Sequence, residues 1–466
     1  MIAAPLLPGD RDLLVELLHL DTAGYLETGA ATTQMWAAQH RYAEAAAGIG
    51  LRTVHHAPAR PDQVARDDVP LPVRQALAGV DGFLDGQPNL VLRLGAAAAR
   101  HATVMFNVHL DTVSGLEPVS FDGSRFAGRG AVDAKGPAVA LLAGVRAAVA
   151  AEPAVATAMG TLIQVVSGEE GGAMGTIGTR PLVELGHVGR LNVFCEPTAL
   201  RYLPRATAAA TARIRVTGRD AIDDCPGAGH NATVLLGFLA QYLGAALDGK
   251  GGQVCVAGLR TGAKHNRVYG TGELLLNLAY SCTADGRRLE AALADALDAG
   301  LHEFADRFID LPSFALTAAD AVAITRLDWL KRGLPTLANA DAYGEALLAG
   351  AGFTPEVRRS RSGEAVLFPG PKAPGREVDS PEVRRSRSGR PWERGFSCDA
   401  IWMDGVEGAF TAVCGPGDLV RNNAHAQGEF VDLAELERFA SGVAGVLVEF
   451  AADRRRAGTA RQEGTT

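Results

Sequence analysis

The chain has 466 residues, too many for one hydrophobic core, so two domains are expected. Hydrophobic residues make up 47% of it and charged residues 21%, the balance of an ordinary globular protein, and the formal net charge of −8 argues against a nucleic-acid partner. Six scattered cysteines with no CxxC pair argue against a disulfide framework and for a reducing compartment, the cytoplasm by default.

The opening "MIAAPLLPGDRD" has no basic segment and too short an apolar run for a signal peptide. "DRDLLVELLHL" then spaces its apolar residues as an amphipathic helix. "NLVLRL" and "ATVMFNV" predict strands, "GPAVALLAGVRAAVAA" a helix, "TLIQVV" a buried strand, "MGTIGTRPLVEL" a turn into a helix, and "LNVFC" another strand. The long apolar stretch from Gly136 is broken by Arg146 and Glu152, so no membrane span is expected. Alternating strands and helices predict an α/β fold with a doubly wound, mixed but mostly parallel sheet.

From about Ala206 the texture changes. "TARIRV", "NATVLLGFLAQYL", "GQVCVAG", "GELLLNLAYSC" and "GRRLEAALADALDAGLHEF" give a β-α-β-β-α order, an α+β unit inserted in the first domain. The division read from this is 1–205 and 316–466 for one domain and 206–315 for the insert. A helix near Asp341–Ala349, the strand "AFTAVC" and a last helix from Asp432 complete the first domain. Between them "PEVRRSRSG" occurs twice, at 355–363 and 381–389, in a loop rich in Pro, Gly and Arg. It reads first as a duplicated surface loop. The sharper reading puts Arg385 and Arg387 against an anionic substrate group, because guanidinium forks suit carboxylates.

"FNVHLDTVSG" ends a run of β-formers in His109, with Asp111 two residues on. Alternate strand residues share a face, and at the C-terminal end of a parallel strand that face looks into the crevice where α/β proteins bind ligands. A carboxylate can hold the second ring nitrogen of a metal-bound imidazole, a role open to Asp111. Alone, the pair is weak evidence, since polar strand ends are common. But Asp133 lies in a glycine-rich turn before a helix, Glu169 and Glu170 follow the buried "TLIQVV", Glu196 follows "LNVFC", and His425 lies in a loop near the C-terminus. Each singly reads best as a solvated loop group; the set together suits two divalent ions, one carboxylate being shared. Nitrogen and oxygen ligands without thiolate favour zinc, with cobalt or manganese as substitutes. The neighbours Glu169 and Glu170 cannot easily share a face, which leaves one free as a base.

"NVHLDTV", "GRGAVDAKG", "SGEEGGAMGT", "CEPT" and "GPGDLVRNNAHAQGEF", in this order, resemble the co-catalytic zinc hydrolases that include acetylornithine deacetylase, succinyl-diaminopimelate desuccinylase, aminoacylase and carboxypeptidase G. "CEPT" and "FSCDA" look more like the deacetylase branch than the carboxypeptidases. The resemblance implies His109 and Glu196 as ligands of one metal, Glu170 and His425 as ligands of the other, Asp133 as the bridge, Glu169 as general acid/base and Asp111 as the partner of His109. It implies hydrolysis of the amide bond of a small N-acyl amino acid or similar substrate. It also implies a lid in the inserted unit, with Asn266 meeting the substrate and a homodimer formed through the lid.

The sequence departs from that pattern in the lid. Members of the family commonly carry a histidine where this chain has Ile222, and the nearest candidate to replace it is His230, at the start of a helix. Two further readings follow. One is a dipeptidase or carboxypeptidase on the same metal residues. The other is a metal-binding protein without ordinary hydrolase activity, or one using the site for other acyl chemistry.

Overall fold

The computed structural model describes residues 2–30, 34–356, 358–359, 365–366 and 396–463. At its centre is a six-stranded sheet in the order Arg52–Pro58, Pro88–Leu94, Gly160–Val166, Thr103–His109, Leu191–Phe194, Phe410–Val413. The last four strands run parallel to one another, and Pro88–Leu94 is antiparallel to both of its neighbours. The sheet is therefore mixed and mostly parallel, as the alternating pattern predicted.

Strand Thr103–His109 is buried along its whole length because helices and loops cover both faces. Val104, Phe106 and Val108 enter one core together with Val139 and Phe439, from the helices Lys135–Ala151 and Leu433–Glu463. Met105 enters the opposite core with Leu162, Phe194 and Ile401. A strand clamped from both sides leaves His109, its last residue, little freedom to move. The edge strand Arg52–Pro58 escaped the sequence reading because "RTVHHAP" is polar and at most half-buried, without alternation.

The inserted unit is a four-stranded antiparallel sheet, ordered Gln253–Arg260, Thr271–Tyr280, Ala208–Thr217, Thr325–Lys331. Ala208, Ala210, Ala212, Ile214 and Val216 alternate into its core. They pack with Leu235 and Leu239 of helix Ala232–Ala246 and Leu293 and Phe304 of helix Thr283–Phe308. The boundary expected at 315 falls short of this sheet. Helix Ala315–Ile324 and strand Thr325–Lys331 follow it, and that strand pairs with Ala208–Thr217. Its sequence "TRLDWLK" hides the assignment because charge alternates with the apolar positions.

At the other edge, strand Gln253–Arg260 pairs on one side only among the described residues, with Val256 at 40% and Leu259 at 45% exposure. Among the described residues no helix is long and apolar enough to cross a membrane.

Candidate metal centre

Two groups of side chains converge where the parallel strands end. The ligand atoms of His109, Asp133 and Glu196 lie within 4.8 Å of one another, and so do those of Asp133, Glu170 and His425. Asp133 belongs to both. Its Oδ1 is 3.0 Å from His109 Nε2 and its Oδ2 is 3.1 Å from His425 Nε2. Glu196 Oε1 stands 4.0 Å from His109 Nε2, and Glu170 Oε1 stands 2.7 Å from His425 Nε2.

Each side chain is delivered by a different device. His109 ends its strand. Glu196 follows Leu191–Phe194, and the intervening Cys195 N–H donates to Asn107 C=O at 2.9 Å, which extends the pairing up to the ligand. Glu170 sits in a turn after Gly160–Val166. Gly168 opens that turn at φ +74°, where a Cβ would strike Ile177 at 2.5 Å. Asp133 lies in the turn before helix Lys135–Ala151, and its peptide bond to Ala134 is cis. His425 alone comes from an exposed loop, with φ +61°.

Asp111 meets His109 chiefly through its main chain, not through a carboxylate hydrogen bond. The nitrogen His109 Nδ1 is 2.9 Å from the main-chain oxygen of Asp111, while the nearer carboxylate oxygen is 3.7 Å away. The carboxylate instead accepts the N–H groups of Gly168 at 3.1 Å and Glu170 at 3.0 Å. A sequence can show an HxD spacing but not which oxygen of the aspartate the ring selects. Asp111 Oδ1 is left buried and without a hydrogen-bond partner among the described residues.

The electrostatics of the site are those of crowded acids. Burial pushes Glu196 up to about 8, against the opposing pull of His109 and helped by Asp133. Burial also raises Glu170, against its hydrogen bond from His425. Glu169 is raised well above the usual carboxylate range by burial and then by Glu196 and Glu170. His425 is pushed up to about 10 by its hydrogen bonds to Asp133 and Glu170. For His109 burial works downward, yet Asp133, Glu196 and Asp111 together carry it well above the usual imidazole range. The same two histidines depress Asp133, against the burial that works the other way. Two imidazoles and three carboxylates so close together offer the nitrogen and oxygen donors that would hold a pair of divalent cations, and such cations would displace the protons that the raised groups favour. The oxygen and nitrogen donor set, with the nearby thiols of Cys195 and Cys414 buried and raised, fits zinc, cobalt or manganese chemistry.

Glu169 is outside both groups. It is half-buried, and among the described residues nothing hydrogen-bonds its carboxyl. Asp399, which the sequence reading passed over in "FSCDA", is fully buried beside this turn. Thr179 Oγ1 donates to its Oδ2 at 2.7 Å, burial raises it to about 7, and its Oδ1 has no partner among the described residues. Glycine is required at 175 because a Cβ there would fall 2.4 Å from the Asp399 carboxyl carbon. Lys135 and Glu429, inside "DAKG" and "HAQGEF", were also missed as separate contributors. Lys135 is 1% exposed and donates to Leu20 C=O at 2.9 Å, and Glu429 is 1% exposed and braces the Asp133 turn.

The lid candidates divide. His230 is buried with both ring nitrogens engaged inside the inserted unit: Nδ1 accepts Arg219 N–H at 2.7 Å and Nε2 donates to Asp320 Oδ2 at 3.1 Å. It has no proton left for a substrate in this arrangement, and Asn231 rather than His230 caps the helix, accepting Val234 N–H at 3.0 Å. Ile222 is 59% exposed, on a short ribbon that pairs Ala221–Ile222 with Arg267–Val268. Asn266 is exposed in the turn beside that ribbon. Arg385 and Arg387 lie outside the described residues.

The fold and this convergence of ligands define a metal-dependent amide hydrolase. The family described as Peptidase family M20/M25/M40 matches residues 105–449, and the chain belongs to it. The fold is similar to that of the metallo-carboxypeptidase Sso-CP2 from Sulfolobus solfataricus (TM-score 0.64, 10% identity, covering 96% of this chain and 100% of that one). It is also similar to aminopeptidase PepT from Bacillus cereus ATCC 10987 (TM-score 0.61, 15% identity, 95% and 98% covered). A third similar structure is human carnosine dipeptidase 1 (TM-score 0.57, 14% identity, 95% and 97% covered).

Proposed function

We propose that this hydrolase cleaves the amide bond of an N-acyl amino acid or a similar small amide. The observation that carries the reading is Glu169: a carboxyl with no hydrogen-bond partner among the described residues, held high by burial beside two ligand groups. In this reading His109, Asp133 and Glu196 hold one divalent ion and Asp133, Glu170 and His425 the other, zinc first. Such ions, when bound, supply a polarised carbonyl and a water acidified towards neutral pH. Glu169 takes a proton from the attacking water and passes it to the leaving amine nitrogen, so that one water is consumed and a carboxylic acid and an amine are released. Asp111 keeps Glu169 and Glu170 aimed by holding the turn between them.

In this reading the inserted unit, extended to about residue 331, is a lid, and two copies pair through it as a homodimer. The exposed apolar edge strand Gln253–Arg260 supports that pairing, because an unpaired edge of this kind is otherwise a liability. Six unpaired cysteines support a reducing compartment, the cytoplasm.

A dipeptidase is the second reading, since the similar structures carry peptidase names and the ligand groups serve either substrate. A panel of N-acyl amino acids and dipeptides, assayed with zinc, cobalt and manganese, separates the two. Faster turnover of the N-acyl amino acids supports the first reading, and turnover of dipeptides alone replaces it with the second.

A further inference from the structure

His425 is the exception among the proposed ligands. Its side chain is 48% exposed, it leaves a loop in the left-handed region, and its ring pairs with the carboxylates of Asp133 and Glu170. His109 and Glu196, by contrast, continue rigid parallel strands. Something other than regular structure has to fix where His425 stands relative to Asp133.

Glu429 does this. Its Oε1 accepts two N–H groups of the Asp133 turn, from Val132 at 3.0 Å and from Asp133 itself at 3.2 Å. Its Oε2 accepts Arg129 Nη1 at 2.7 Å, and Arg129 Nη2 reaches back to Ala426 C=O, next to His425, at 3.2 Å. Glu117 closes the arrangement from outside. Its Oε2 accepts Gly428 N–H at 2.8 Å and Glu429 N–H at 3.2 Å, and its Oε1 pairs with Arg129. The main chain of Glu429 is itself anchored, because its C=O accepts Gly128 N–H at 3.0 Å and the next residues, Phe430–Asp432, pair with Arg125–Ala127. A single buried carboxylate thus joins the turn of Asp133 to the loop of His425.

We propose that Glu429 is a positioning residue that sets the affinity of the Asp133–Glu170–His425 group for its ion, leaving the His109–Asp133–Glu196 group comparatively unaffected. The inference rests on the two-ion reading of the centre. Removing an outer partner of a metal ligand commonly costs about 10–100-fold in metal affinity. The loss here falls unequally, because His425, the one side chain on an exposed loop, belongs to only one of the two groups.

The test is equilibrium dialysis of the full chain against Co²⁺ alone, with the visible absorption of the bound ion as a second signal. Wild type should bind two ions. Glu429→Ala should keep one at wild-type affinity and bind the other about 10–100-fold more weakly. Glu429→Gln, which keeps an oxygen for the two N–H groups, should recover part of the loss. A merely structural role would lower the melting temperature and leave the ratio of the two affinities where it was. Equal weakening at both groups, or two ions held at wild-type affinity by Glu429→Ala, overturns the proposal. If Glu429→Ala does not fold, Glu117→Gln loosens the same arm from its exposed side and must show the same inequality. A wild-type chain that takes up fewer than two ions overturns the two-ion reading and this inference with it. Two ions in wild type with no inequality in the variants overturns the inference alone.

Discussion

Asp111 holds Glu170 by its backbone: the aspartate Oδ2 accepts the Glu170 N–H at 3.0 Å, across the gap between two parallel strands. The same oxygen takes the Gly168 N–H, so one carboxylate oxygen shapes both ends of the turn that presents Glu169 and Glu170. Asp111→Ala leaves two buried N–H groups without a partner, each costing ~1–3 kcal/mol. It should therefore lower the melting temperature even of the metal-free chain, whereas Asp111→Asn, which retains an acceptor, should lose less. Thermal unfolding of both variants in chelator checks this. An alanine variant as stable as wild type would mean the turn is shaped by its glycines alone.

Glu169→Gln preserves shape and removes the proton carrier. Bound metal should stay at the wild-type ratio while turnover falls by about 10²–10⁴-fold. Glu170→Gln should do the reverse in part, lowering metal occupancy first. Parallel metal analysis and rate measurement distinguish the two neighbours, and wild-type turnover in Glu169→Gln rules out its assignment.

Stripping the ions exposes a pH dependence whose sign follows from the directions above. Glu196, raised to about 8, and Asp399, raised to about 7, are both higher than in an unfolded chain, where carboxyls ionise near 4. Such groups favour the folded state at low pH, and that contribution is lost as pH rises through the folded values. His425, raised to about 10, acts in the same direction: its contribution is complete below the unfolded value of 6.5 and lost through 10. The metal-free chain should therefore melt at a lower temperature at pH 8.5 than at pH 5.5, and added zinc should restore more stability at the higher pH, where fewer protons compete for the ligands. Equal melting temperatures of the stripped protein at both values would contradict this charge arrangement.

His230→Ala removes an imidazole that both accepts from Arg219 and donates to Asp320, so the part-buried Arg219 N–H loses this acceptor at a cost of about 1 kcal/mol. The variant should melt lower than wild type, with metal content and the turnover of the folded fraction unchanged. A fall in turnover of about 10²–10³-fold at constant stability would instead mark it as an oxyanion donor.

The clustering of His109, Asp133, Glu170, Glu196 and His425 was legible because each is a polar residue at a strand end or in a turn or loop, where a solvated explanation fails for the set. What the sequence withheld was mostly connection between distant segments. Nothing in "HLD" says that the histidine takes the aspartate's carbonyl and the carboxylate takes the next turn. Glu429 lies 296 residues from the Asp133 N–H that it accepts, so no spacing rule could join them. The fourth strand of the inserted unit was missed for a local reason: Arg326 and Asp328 alternate with Leu327 and Trp329, and the apolar face is itself only partly buried. His230 stood out as a polar residue before an apolar helix, a position that looks the same whether the ring faces a ligand or closes a loop onto Arg219.

The edge strand Gln253–Arg260 has a consequence for the handling of the protein. Its outward N–H and C=O groups, flanked by exposed Val256 and Leu259, can be satisfied by water, by a second copy in register, or by disordered stacking of many copies. These outcomes compete by mass action. In a dimer that covers this edge, the apparent stability of each chain rises with its own concentration. Dilution would uncover the edge, and partial unfolding of a crowded solution would present it to other chains. The most stable preparation is then neither the most dilute nor the one heated nearest to its melting point.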